Sequence, residues 1–92
     1  MKCELEGIKI PGEKYEYLGF AIRIKDLQTE KDKSLVCDMI SLLYNGCCVD
    51  YRPETSEIDE MLQDYKPSAR IGFVVVPHER TARLMLFKPK AH

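Results

Sequence analysis

The chain has 92 residues, of which 45% are hydrophobic and 32% charged, with five glycines, five prolines and a net charge of −1. That balance excludes a disordered or fibrous chain. Two separate cores would have fewer than about fifty residues each, so a single domain over residues 1–92 is expected, small enough to lean on very good packing, a staple or a partner.

The net charge hides an uneven distribution. Residues 1–25 carry five basic and four acidic groups, residues 26–65 three and ten, and residues 66–92 six and one, giving balances of +1, −7 and +5. No repeat, low-complexity run or Gly/Ser linker separates these blocks, so they share one fold.

In chain order, residues 3–10 and 15–25 read as a hairpin around Pro11-Gly12-Glu13-Lys14. In its second strand Leu18, Phe20, Ile22 and Ile24 alternate with Tyr17, Gly19, Ala21, Arg23 and Lys25, the pattern of a half-buried strand. Thr29 supplies an N-cap oxygen, with Glu30 and Asp32 in the first turn, where the helix dipole favours negative charge. Leu35, Val36, Met39, Ile40, Leu42 and Leu43 then form a helical stripe, and Asn45-Gly46 is expected to end it in a left-handed conformation. Residues 47–51 pass for a short strand before Pro53. A second helix, capped at Thr55 or Ser56, places Ile58, Met61, Leu62 and Tyr65 at the i, i+3, i+4 and i+7 positions and stops at Pro67. Residues 69–76 and 82–88 make a final hairpin across Pro77-His78-Glu79-Arg80-Thr81.

The order ββαβαββ predicts an α+β fold: a two-layer sandwich with a largely antiparallel sheet of four to five strands and two helices on one face. In the last hairpin Ile71, Phe73 and Val75 alternate with Val74 and Val76, and Leu84 and Leu86 with Met85 and Phe87. Both sheet faces therefore receive large apolar side chains. Two helices on one face leave Val74, Val76, Met85 and Phe87, with Tyr17, as an apolar surface for a partner; closed twofold dimers dominate among oligomers, so a homodimer comes first and a heterologous protein second. The bland alternative is that the chain folds over this face itself.

The other constellations are weaker. Arg23, Lys25, Arg70, Arg80, Arg83 and Lys88, near Phe73 and Phe87, are what a single-strand nucleic-acid module would use, although no RNP-like run is present. His78 beside Glu79 offers a base and a carboxylate, but a hairpin tip is ordinarily wet, so an enzyme is the less favoured class. Glu54, Glu57, Asp59, Glu60 and Asp64 give the second helix an acidic face, read first as solvated and second as a dock for a basic partner.

Cys3, Cys37, Cys47 and Cys48 show neither a disulfide framework nor metal-ligand spacing, so reduced thiols and no cofactor or metal are expected. Glu4 and Glu6 stand where an export signal needs an apolar stretch, and the apolar run 73–76 is far short of the roughly 20 residues of a membrane helix. The expectation is a cytoplasmic, non-enzymatic adaptor, regulator or inhibitor with no membrane partner.

Overall fold

Four antiparallel strands lie side by side in chain order in the computed structural model, which describes residues 3–10, 12 and 14–89. They are β1 (Glu6–Lys9), β2 (Glu16–Arg23), β3 (Arg70–His78) and β4 (Thr81–Phe87), with α1 (Glu30–Gly46) and α2 (Thr55–Leu62) inserted between β2 and β3. This is the expected α+β arrangement with four strands and the order ββααββ. The turn expected at Pro11-Gly12-Glu13-Lys14 lies partly outside the described residues; within it Gly12 has a φ of 88°, a conformation glycine adopts without strain.

The core sits between the helices and one sheet face. Phe20 and Ile22 of β2 and Ile71, Phe73 and Val75 of β3 meet Val36, Cys37, Ile40 and Leu43 of α1 and Ile58 and Leu62 of α2. Phe20 and Phe73 are direct cross-strand partners, and their rings stack at 4.8 Å between centroids. That contact locks the register of the two central strands, because a one-residue slip would turn both rings out of the core.

α1 begins as its sequence dictates: the Asp32 N–H donates to Thr29 Oγ1 at 3.1 Å. Its end differs from expectation. Asn45 and Gly46 remain helical, and the left-handed residue is Cys48, with a φ of 60°. The Cys48 N–H donates to the Asn45 carbonyl and the Val49 N–H to the Tyr44 carbonyl, which is the Schellman pattern, with a cysteine at the position glycine usually takes.

That cap removes the strand expected at residues 47–51. The chain turns sharply at Cys48, and Arg52 then ties the segment to α1: its Nε donates to Asp38 Oδ1 at 2.8 Å and its Nη2 to Ser34 Oγ at 3.0 Å. The segment runs as a loop beside the helix. α2 also starts one residue earlier than read, since Glu54 and not Thr55 or Ser56 is the N-cap, in a capping box with Glu57.

The five-residue connection expected between the last strands shrinks to Glu79-Arg80, with Glu79 at a φ of 50°. Pro77 lies inside β3, opposite Ala82. It is tolerated there because β2 pairs with β3 only from Gly19↔Val74 to Arg23↔Arg70, so at Pro77 one side of β3 has no neighbour that needs its missing N–H. At Gly19, the last paired position, the backbones approach so closely that any Cβ would run into the Phe73 carbonyl.

Candidate functional site

The sheet face turned away from the helices is built by alternation along the strands. It carries Ile8 of β1, Tyr17, Gly19, Ala21 and Arg23 of β2, Arg70, Gly72, Val74 and Val76 of β3, and Arg83, Met85 and Phe87 of β4, as the pairs Ile8↔Tyr17, Gly19↔Val74, Val74↔Met85, Gly72↔Phe87 and Val76↔Arg83 require. Tyr17, Val74, Val76, Met85 and Phe87 therefore come together on one face.

They are not equally available. Val74 is 0% exposed although it stands outside the helix-side core, which corrects its assignment as a surface for a partner. Two glycines explain this. Above Gly19 the Val74 Cγ1 and Ile8 Cδ1 would stand 2.6 and 2.9 Å from a Cβ, and above Gly72 lies the tip of the Phe87 ring. Side chains from neighbouring strands thus fold over the bare backbone and roof the middle of the face. What remains open is Met85, 38% exposed on the edge strand β4, with Val76 and Phe87 half-buried beside it and Tyr17 and Ile8 half-buried farther across the face on β2 and β1.

A groove of about 640 Å³ crosses this face between β1 and the end of β4, bordered by Ile8, Ile10 and Phe87, floored by Ala21, and reached by Arg70 and Glu6. Ile8, Ile10 and Ala21 were not among the residues expected to form the site. The strand-interior glycines 19 and 72 were the sequence signal for the roofed middle of the face, since such glycines mark places where something approaches the backbone closely.

The six basic residues do not form one patch. Arg23 and Arg70 are direct cross-strand partners, and Arg83 shares their face beside Val76. Lys88 instead reaches toward the helix layer, its Nζ 6.0 Å from the centre of the Tyr65 ring. Lys25 lies in a 3-10 turn past β2 and Arg80 in the β3–β4 turn. Among the described residues the ion pairs are Lys33 with Glu30 and Asp59, and Arg52 with Asp38, so none neutralises the open-face arginines. Like charges directly opposite on a sheet cost stability.

His78 and Glu79 are both exposed at the hairpin tip, where bulk water reaches any proton chemistry. Of the thiols, Cys37 is buried, Cys3 and Cys47 are half-buried and Cys48 is exposed; burial, then the nearby Glu6 charge, pushes the Cys3 thiol up to about 11. Among the described residues no three His, Cys, Asp or Glu side chains gather as a metal site would require, and no helix is long and apolar enough to cross a membrane. No family model, curated protein or solved structure matches the chain.

Proposed function

We propose that this protein is a non-enzymatic interaction module, a small adaptor, regulator or inhibitor, whose uncovered sheet face docks another protein, in the first instance a second copy of itself in the cytoplasm. The observation that carries the reading is the exposure of Met85 at 38% on a face that neither helix covers and that also carries the half-buried Val76, Phe87, Tyr17 and Ile8. Apolar and aromatic side chains sharing a face with arginines have the make-up of a protein interface, which combines aromatic and Met anchors with charged residues at its rim. Met85→Glu places a charge on that face without touching the core, and its effect on self-association, measured by sedimentation, tests the proposal.

A second reading rests on a separate observation, the presence of Arg23, Arg70 and Arg83 on the same face as Tyr17 and Phe87. Cations beside aromatic rings on an open sheet are suited to single-stranded nucleic acid, whose bases stack while its phosphates meet arginine. A titration with single-stranded and duplex oligonucleotides at two salt concentrations separates the readings. Nucleic-acid binding must weaken steeply with salt, and Arg23→Ala with Arg70→Ala must reduce the salt slope; absence of binding at low salt rejects it.

A further inference from the structure

A second built surface lies in the helix layer, against the outer edge of β4. There a groove of about 400 Å³ is lined by Tyr44, Tyr51, Glu57, Glu60, Met61 and Leu84, a size within the roughly 300–1,000 Å³ of small-ligand clefts. Its parts are held in place by contacts within the chain. Arg52 pins the loop that carries Tyr51 to Asp38 and Ser34. The Tyr51 ring meets Tyr44 edge to face at 5.1 Å, and its hydroxyl donates to both Glu57 carboxylate oxygens at 3.1 Å. Glu57 is fixed in turn by the Glu54 N–H at 2.7 Å, the second arm of the capping box.

The charge of this groove is uncompensated. Asp59 on the same helix takes Lys33 at 2.9 Å, whereas Glu57 and Glu60 have no cation partner among the described residues. Burial first, with the Glu57 charge adding to it, raises both tyrosine hydroxyls above their ordinary pKa, against a backbone hydrogen bond from Leu84 at Tyr44, so the rings are neutral and offer their π faces. Among the described residues β4 is an edge strand, paired only with β3, and Leu84 at its middle borders the groove.

We propose that this groove binds an arginine side chain carried by an extended segment of a partner protein lying along β4. A planar guanidinium satisfies both halves of the site, stacking on a tyrosine while donating to carboxylates, and an edge strand gives an extended segment its backbone pairing. The site sits on the layer opposite the open face, so this inference and the proposed dimer succeed or fail separately.

The test is a titration of isotope-labelled protein, followed by amide NMR, with the capped pentapeptide Gly-Val-Arg-Val-Gly and with the same peptide carrying neutral citrulline for arginine. The expected result is shifts centred on Tyr51, Glu57, Glu60 and Leu84, with affinity about tenfold weaker for the citrulline peptide and for the Glu57→Gln/Glu60→Gln variant. Glutamine retains the capping box, so loss of binding there is not loss of the helix. Equal binding of the two peptides, shifts confined to the rest of α2, or no shifts at millimolar peptide overturns the proposal. So do shifts of the same amides with protein concentration alone, which assign the groove to a second copy.

Discussion

The tip of the Phe87 ring occupies the space above Gly72, so near that a Cβ on that glycine would come within 2.8 Å of both ring Cε atoms. Phe87 and Gly72 are cross-strand partners, and the missing side chain of one is the seat of the other. This is how a face without a helix layer still buries part of its apolar content: the sheet folds its own side chains flat where the backbone is bare. Gly72→Ala is expected to dislodge the ring and cost about 1–3 kcal/mol in urea unfolding, as overpacking does. In the Phe87→Ala background the same change should cost markedly less, a non-additivity that identifies the contact.

The fold was legible where one residue type has one dominant use. Thr29 before two acidic residues marked the start of α1, and the alternation of Phe20, Ile22, Ile71 and Phe73 marked the buried face of the central strands. Residues 47–51 misled because alternation over five residues is also met by chance, and the strand is displaced by the cap at Cys48, whose backbone bonds return to Tyr44 and Asn45 of α1, with Arg52 then holding the loop to Asp38 and Ser34. The register puts the five residues of the expected interface on one face, but the burial of Val74 depends on its packing with Ile8 of β1 over Gly19 of β2, which no single-strand pattern contains. The basic residues were over-grouped for a similar reason: Lys88 lies one residue past Phe87, and alternation sends it toward the helices.

The end of α1 carries a conformational mismatch that two substitutions should relieve. Cys48 adopts the left-handed region at a φ of 60°, while Gly46 is helical and a Cβ there would meet nothing within 4 Å. Cys48→Gly is expected to stabilise the protein by about 1 kcal/mol, since a side chain in that region costs roughly 1–2 kcal/mol. Gly46→Ala should add about 0.5–1 kcal/mol through helix propensity and a less flexible unfolded chain. Thermal melts of the two single variants and the double variant check both signs; a lower midpoint for Cys48→Gly contradicts the cap described.

Cys3 packs against the core, and its thiol is raised from 9.0 to about 11 by burial, with Glu6 adding to the effect. The folded state therefore favours the protonated form. Stability from this group is fully present below pH 9, its unfolded value, and is lost as pH rises through about 11. Urea midpoints between these limits should fall more steeply in the parent protein than in Cys3→Ala. Alkylation timed by mass spectrometry at mildly alkaline pH should modify the exposed Cys48 before Cys3 or the buried Cys37.

The uncovered sheet face, on which Met85 of the edge strand is the most open apolar side chain, is the proposed surface for association. Sedimentation velocity over a range of micromolar concentrations tests it most directly, comparing the parent chain of 10.7 kDa with Met85→Glu. Expected are a concentration-dependent species of twice that mass for the parent, and a monomer with an unchanged circular dichroism spectrum for the variant. A parent protein that sediments as a monomer throughout, or a dimer that Met85→Glu leaves intact, contradicts it.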